Sequence, residues 1–440
     1  MYNDKGHIIV KEGMSIQDAI DAADKFDTVK VMPGNYEENI KIQKPVNLKG
    51  SGSEESVIKP DTGRVISIGS QVAENGYIKN LTVQDFTLRS GDDSIVLQSD
   101  SATDGKYNAR NYIYKNLVVD ANNNNETAIG LFDAKNITLN NVQVQNCNRS
   151  DGAALEMVGV KNLKVYNSKF ENNRLAVKIF SVDGYQNNGN INISNTEFRN
   201  NRKDIINEEN NLKINATHNY WGQSSGPADS DISGNVDYRP WLLEENGDKY
   251  DFTVAFDKGW NLISAPTNVN EYEIYKSEDI VEGWLSHDES GWISSSEDVR
   301  NEFKNPANAV FVKTKEPIGV GYNWTKDTNP EDTFANKQLS EGWNLVSTGI
   351  TGDYKDQMSH LKYESGEGLA SIFAPNTYNE NKDLSYNWQN PQMDTTTWND
   401  GDKMYRLDGY WVYISGSDED HKVPVEPVDS VSGLMKQAGE

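Results

Sequence analysis

KNITLNNVQVQN, from Lys135 to Asn146, places apolar side chains at Ile137 and Leu139 and again at Val142 and Val144. That is the period of a β-strand, in which every second side chain faces one side, reset once by the pair Asn140-Asn141. The same pattern recurs as KNLTVQDFTLRS from Lys79, RNYIYKNLVVDA from Arg110, KNLKVYNSKFEN from Lys161, GNINISNTEFRN from Gly189 and NNLKINATHNYW from Asn210. Successive copies start 21 to 31 residues apart, which predicts one coil of a solenoid per copy. The residue at the reset is polar each time: Asp85, Asn116, Asn141, Asn167 and Asn195. Asn and Asp tolerate left-handed backbone angles, so stacked bends favour them. A further short strand follows each copy, as in SIVLQ from Ser94, AIGLF from Ala128, AALEM from Ala153, LAVKIF from Leu175 and DIIN from Asp204. Three strands per coil predict an all-β chain whose first part, residues 1–243, is a right-handed parallel β-helix.

The ends of that segment carry their own signals. Ser15 followed by Asp18 predicts a capped amphipathic helix over SIQDAIDAADKF, with Ile16, Ala19, Ile20 and Ala23 on one face to cover the first coil. SIQDAIDAADKFDTVKVMPGNYEENIKI resembles the opening of the pectin-lyase-like, periplasmic copper-insertion-type β-helix family of archaeal and bacterial surface proteins. HNYWGQSSGP and GNVDYRPWL, ending at Leu242, resemble the same family's closing segment. The resemblance spans residues 7–242; it implies the fold and says almost nothing about activity.

Residues 244–250, containing EENGDK, read as a linker. Beyond it FDKGWNLISAP around Trp260 returns as LSEGWNLVSTG around Trp343, and NAVFVKTKEP around Phe311 as DGYWVYISGS around Trp411. The matched blocks lie 83 and 100 residues apart, so the second copy holds an insertion between Tyr363 and Met404. These blocks are dense in Trp, Tyr and Val and resemble the GWNLIS-type modules of archaeal and bacterial surface proteins. They predict two small β-sandwich-like modules, at 251–335 and 336–418, with a Pro-punctuated tail at 419–440. Trp260, Trp343 and Trp411 are expected in their cores.

Composition excludes several function classes. The 440 residues carry 42 Lys and Arg against 67 Asp and Glu, a formal net charge of -25. Such a chain repels nucleic acid and anionic lipid surfaces. A single cysteine, Cys147, rules out an internal disulfide or a thiolate metal cluster and reads as a small buried filler. No apolar run reaches the length of a membrane span. The start MYNDKGHIIV has neither the basic nor the apolar part of a secretory signal, which favours a virion protein released by lysis. Seven Asn-x-Ser/Thr sites, at Asn80, Asn125, Asn136, Asn148, Asn192, Asn215 and Asn323, are acceptors for glycans if the chain is exported.

Candidate chemistry is sparse. SGDDSIVLQS, from Ser90, is similar to the GDD segment of polygalacturonases; the resemblance implies that Asp92 and Asp93 activate water and protonate a leaving oxygen. The other segments of that pattern are missing. Asp133, Glu156 and Lys178 fall on consecutive coils and could mimic a lyase site, a base beside calcium-neutralised carboxylates; a surface ion pair between Glu156 and Lys178 is the plainer reading. Asp229, Asp231, Ser233 and Asp237 in DSDISGNVD copy the first half of an EF-hand-like spacing, an expected calcium site that lacks the closing Glu. No other cofactor is implied. Trp284, Trp292, Trp324, Trp388 and Trp398 lie outside the duplicated blocks, and exposed Trp faces stack on sugars or anchor interfaces.

Together these features predict a structural and surface-binding protein of the virion spike or tail-fibre type, extracellular and homo-oligomeric, with a trimer as the expected assembly. Its expected partners are a host-surface glycan or surface-layer glycoprotein and other virion or surface proteins. The competing expectations are a polysaccharide-degrading β-helix enzyme and a cellular surface-layer adhesin.

Overall fold

The repeat becomes a coil because its bend residues adopt a backbone conformation that most residues avoid. A computed structural model describes residues 7–414 apart from 70–77, 92–96, 100–108, 124–126, 151, 265–268, 275–280, 289–290, 295, 304–307, 325–336, 340–341, 348–351, 354–360, 364–368, 374–402 and 405–408. In it Asp85, Asn116, Asn141, Asn167 and Asn195 have φ of 66°, 51°, 54°, 50° and 49°. A second stack, which sequence reasoning did not single out, consists of Asn80, Asn111, Asn136, Asn162 and Asn190 at φ 62°, 60°, 57°, 58° and 53°. A left-handed residue costs roughly 1–2 kcal/mol, least for Asn and Asp. Side-chain hydrogen bonds between coils offset that cost. Asn111 Nδ2 donates to Asn80 Oδ1 at 2.8 Å, and Asn136, Asn162 and Asn190 each donate to the preceding coil at 2.9 Å. In the other stack Asn116 donates to Asp85 at 2.7 Å, Asn141 to Asn116 at 3.0 Å, and Asn195 to Asn167.

Between the two stacks the coils run in strict register. Strands Ile78–Arg89, Ala109–Asp120 and Ala134–Gln145 pair in parallel with Leu81, Tyr112 and Ile137 aligned, then Phe86, Leu117 and Val142. In the next two coils the bend divides the strand, into Lys161–Tyr166 with Lys169–Glu171 and Gly189–Ser194 with Glu197–Arg199. These strands belong to a fourteen-stranded sheet, and an eight-stranded sheet faces it, running from Ile40–Ile42 to Ile232–Ser233 with one strand per coil. Leu81, Phe86, Ile137, Val142, Ile129 and Leu155 are all buried between the sheets. Each such side chain contributes about 1.5–3 kcal/mol through the water it leaves.

Both ends of the solenoid are closed. Helix Ile16–Ala22 buries Ile16, Ala19 and Ile20 and packs on strands His7–Val10, Thr28–Val31 and Ile40–Ile42. Ser15 Oγ accepts from Asp18 N–H at 3.1 Å, and the Glu38 carboxylate accepts from the N–H groups of Ile16 and Gln17 at 2.8 and 3.1 Å. The helix stops short of the expected Phe26, since Ala23 is already extended at φ -71° and ψ 145°, and Lys44 Nζ donates to the carbonyls of Asp21 and Ala23. At the other end Phe170, Phe198 and Trp221 stack, with ring centroids 5.4 and 4.6 Å apart, and buried Trp241 donates to the Ser224 carbonyl at 2.7 Å. Cys147 is buried, and burial pushes its thiol up to about 12.

The chain divides into two compact units, Met1–Lys249 and Tyr250–Glu440. In the second, Gly259–Ser264 pairs antiparallel with Ala309–Thr314, which also pairs with Val281–Asp288. The duplicate repeats this arrangement: Gly342–Val346 with Tyr410–Ile414, and that strand with Leu369–Phe373. A register shift recurs at the corresponding place, between Val281 and Gly283 and between Leu369 and Ser371. The first copy has a two-sheet core in which Val254, Phe256, Val320 and Tyr322 meet Ile263, Val310 and Val312. An unexpected helix, Ser296–Phe303, adds Val299 and Phe303 to that core. The copies touch: an isolated bridge links Asn308 to Val346, and a side chain at Gly409 would collide with Leu262 and Ala309. Trp260 is half-buried rather than in the core, edge-on to Phe311 at 6.4 Å.

The Asn stacks predict an inverted substitution order. Asn136→Ala should destabilise the first unit by about 2–3 kcal/mol, losing two ladder hydrogen bonds and gaining left-handed strain. Asn136→Gly should cost about 1 kcal/mol less, against the usual penalty for Gly in a strand. Urea unfolding of the two variants measures the difference, and a Gly variant no more stable than the Ala variant would refute the role of backbone strain.

Asp204 predicts a pH dependence. It is 5% exposed, accepts from Asn201 Nδ2 at 3.1 Å, and burial, aided by the nearby Asp231 charge, pushes its carboxyl up to about 7. The folded chain therefore holds a proton that the unfolded chain has released above pH ~4. Its contribution to stability is greatest at acid pH, falls as pH rises from about 4 to 7, and is flat above that. Asp204→Asn should raise stability at pH 8 by on the order of 2 kcal/mol and remove that slope. Denaturant melts at pH 5 and pH 8 check both.

Candidate functional site

Two short strands build one wall of an open cleft. Lys169–Glu171 follows the left-handed bend at Asn167, and Glu197–Arg199 follows the bend at Asn195. Alternation turns Phe170 and Phe198 into the core and leaves Lys169, Glu171, Glu197 and Arg199 outside. Parallel register sets Lys169 beside Glu197 and Glu171 beside Arg199, so opposite charges alternate along and across the strands. Lys169 Nζ lies 3.0 Å from Glu171 and 3.7 Å from Glu197; Arg199 pairs with Glu197 and, at 2.9 Å, with Glu245. Tyr220 bridges to Glu197 from the next coil.

Lys169, Glu197, Tyr220 and Glu245 border this open cleft of about 350 Å³. Its walls carry the amides of Asn141, Gln143, Asn167, Asn195 and Asn246. Ser168, Thr196 and Tyr220 add hydroxyls, and Lys169, Glu197 and Glu245 add charge. Glu197 is 7% exposed, and burial raises its carboxyl above the usual carboxylate value against the pull of Lys169 and Arg199. Amides donate and accept together, a tyrosine adds an aromatic face, and a carboxyl with a raised pKa is a better proton donor than a free one. Sequence reasoning quoted both strands within their repeats but missed the cluster. The available signal was positional: Lys169 and Glu197 each stand two residues past a bend Asn, so stacking brings them together.

The residues singled out from sequence are placed as follows. Asp92 and Asp93 lie outside the described residues, as do Trp388 and Trp398. Leu155 pairs with Val177 and Glu156 with Lys178, in the expected register. The side chains nevertheless take other partners. Glu156 accepts from the Thr127 hydroxyl, while Lys178 Nζ lies 3.6 Å from Glu208 and 4.5 Å over the Phe180 ring. Asp133 is 1% exposed and accepts the Gln186 N–H at 2.8 Å, so it braces a turn at φ 43° rather than joining Glu156 and Lys178 on an outer surface.

The EF-hand-like spacing folds as a coil corner instead of a loop. Ile232–Ser233 extends the eight-stranded sheet and Val236–Asp237 the fourteen-stranded one, with the turn made at Gly234, φ 84°. Ser233 and Asp237 therefore sit on different sheets. Asp237 pairs with Lys213 at 2.9 Å, and Asp231 accepts from the Ser230 hydroxyl at 2.8 Å. Asp229 lies in the turn before Asp231. Among the described residues no three His, Cys, Asp or Glu side chains converge as a metal site.

Trp284 and Trp292 lie on neighbouring strands, Val281–Asp288 and Gly291–Ile293, of one sheet, and Trp324 ends strand Ile318–Trp324 of another. The sequon residue Asn136 uses its amide within the inter-coil stack, donating to Asn111 and accepting from Asn162, so a glycan there would break the stack.

No family model matches the chain, and no curated protein matches it. Among solved structures the chain is similar to an alginate lyase from Paenibacillus sp. str. FPU-7, at 12% identity and a TM-score of 0.34, covering 54% of this chain and 98% of that one. It is similar to a pectin methylesterase from carrot, at 12% identity and a TM-score of 0.26, covering 56% and 91%. It is also similar to tailspike protein gp49 of Acinetobacter baumannii bacteriophage Fri1, a capsular polysaccharide depolymerase, at 9% identity and a TM-score of 0.26, covering 74% and 87%. Likeness at these scores carries no argument about activity; the parallel β-helix of this chain rests on its own strand register.

Proposed function

We propose that the chain is a surface-binding protein of the virion spike or tail-fibre type, acting outside the cell, whose β-helix holds a glycan of the host surface or of a surface-layer glycoprotein. The observation that carries this reading is the cleft at Lys169, Glu197 and Tyr220, walled by five amides. Sugar hydroxyls need partners that both donate and accept, which amides are, and Tyr220 offers an aromatic face to a pyranose ring. The charged residues of the cleft pair with one another, which holds its walls in place. Trp284, Trp292 and Trp324 on the strands of the second unit are candidates for further contacts with the same surface. Assembly as a closed homo-oligomer, a trimer, with other virion or surface proteins as neighbours belongs to the same proposal, and the native mass tests it.

Screening the full chain against a panel of host-surface oligosaccharides should reveal a ligand. Tyr220→Ala and Asn246→Ala should each weaken its binding about tenfold, on the order of 1.4 kcal/mol. Unchanged affinity in both variants would place the ligand elsewhere and defeat the cleft.

One observation favours the alternative, a polysaccharide-degrading enzyme. Glu197 is nearly buried, with a carboxyl shifted toward the protonated form, as a proton donor to a glycosidic oxygen would be. If that reading holds, incubation with host glycans yields new reducing ends or unsaturated uronates, and Glu197→Gln abolishes them while leaving binding intact. Binding without any such product supports the non-enzymatic reading.

A further inference from the structure

An asparagine followed by glycine can turn its side chain on the next peptide nitrogen, because glycine puts no Cβ in the way. The pair occurs three times in the chain, at Asn75-Gly76, Asn188-Gly189 and Asn246-Gly247. The first lies outside the described residues, and the fold treats the other two in opposite ways. Asn188 is 7% exposed and its amide is fully used: Oδ1 accepts from Val160 N–H at 2.6 Å, while Nδ2 donates to the Phe180 carbonyl at 3.0 Å and to the Glu209 carboxylate. Gly189, which opens strand Gly189–Ser194, donates its N–H to the Val160 carbonyl at 2.9 Å.

Asn246 stands in the open. Its side chain is exposed and holds no partner among the described residues. Its φ of 53° belongs to a turn in which Gly247 N–H donates to the Glu244 carbonyl at 3.1 Å. Glycine serves that turn, since a Cβ at 247 would stand 2.7 Å from Glu244 Cγ. The same bareness leaves the Gly247 nitrogen open to attack the side chain before it. The bend asparagines are shielded by contrast: Asn111, Asn136 and Asn162 precede Tyr112, Ile137 and Leu163, and their amides are tied between coils.

We propose that Asn246-Gly247 is a site of spontaneous deamidation, a modification whose only co-reactant is water. Gly247 N gives up its proton and attacks Asn246 Cγ; the N–Cγ bond forms, the Cγ–Nδ2 bond breaks and ammonia leaves, closing a succinimide ring. Water then opens the ring on either side. Cleavage of the N–Cγ bond restores the original backbone and leaves an aspartate. Cleavage between that nitrogen and the Asn246 backbone carbonyl carbon leaves an isoaspartate, with the chain routed through Cβ and Cγ. To react, the folded chain must open one exposed turn, a motion at the low end of local unfolding free energies. Asn188 must instead release three side-chain hydrogen bonds and a strand end. The product sets a carboxylate in the cleft wall that Asn246 lines, next to Glu245, whose partner Arg199 already serves Glu197. The wall therefore turns more acidic as the protein ages.

The test incubates the full chain and follows both pairs by mass spectrometry of proteolytic peptides, with the aspartate and isoaspartate forms separated by chromatography. In the folded chain Asn246 should convert at least about tenfold faster than Asn188, since every hydrogen bond on Asn188 lowers its reactive population. Conversion should be faster at about pH 9 than at about pH 7, because the attacking nitrogen must lose its proton. In urea the two pairs should convert at similar rates, which assigns the difference to the fold. Asn246→Gln, whose longer side chain cannot close the five-membered ring, should stay intact over the same time. Equal rates in the folded chain, an Asn246 that outlasts Asn188, or aspartate formed without isoaspartate would overturn the proposal. The readout involves no ligand, so its failure is separate from a failure of the cleft as a glycan site.

Discussion

The first unit depends on one local constraint, a left-handed bend that must recur at the same place in every coil. Asn and Asp meet it at low cost because their short side chains tolerate that conformation and hydrogen-bond nearby. Stacking then adds a second stabilising contact, since bend amides reach side-chain oxygens of the coil before them. The bend fixes which residues of the following strand turn inward. Because side chains alternate with a period of two, a slip of one residue would move Val142, Val144 and Phe170 from the core to the solvent. Register is therefore held from both sides, by the polar stacks outside and by the apolar columns within.

Exact register also makes the surface a grid. A residue at a given distance from the bend lies beside its counterparts on neighbouring coils, however far apart they are in sequence. Lys169 meets Glu197 across 28 residues, and Lys79, Arg110, Lys135 and Lys161 line up across four coils. On one side of the bend this grid sorts cations into a column; on the other it interleaves signs into a paired network. Net charge, which averages over the chain, conceals both arrangements. The value of -25 speaks to long-range repulsion and is silent about what a single face offers a ligand.

The second unit was built on a different economy of repeats. Duplication preserved a strand order and its irregular step, since the shift between Val281 and Gly283 returns between Leu369 and Ser371. The copies then made contacts with one another, at Asn308 with Val346 and at Gly409 with Leu262 and Ala309. Gly409 has no side chain because the other copy occupies that space. Trp260 shows why an aromatic in a repeated strand need not be core: its strand buries Leu262 and Ile263, and the indole lies half-buried against Phe311.

The sequence by itself determined the coil, its bends and its capping helix, because these follow from local rules: alternation with period two, left-handed tolerance of Asn, and a Ser cap. It also determined the register of Glu156 with Lys178, since that follows once the strands are aligned. Only the tertiary structure decided what those residues touch. Asp133 turned inward to brace Gln186, Lys178 chose Glu208 over Glu156, and Ser233 and Asp237 parted onto two sheets. The cleft at Glu197 was hidden for the same reason. Its members are unremarkable one at a time, and what they can do arises from proximity between coils, which a pattern read along the chain specifies only after every bend has been placed.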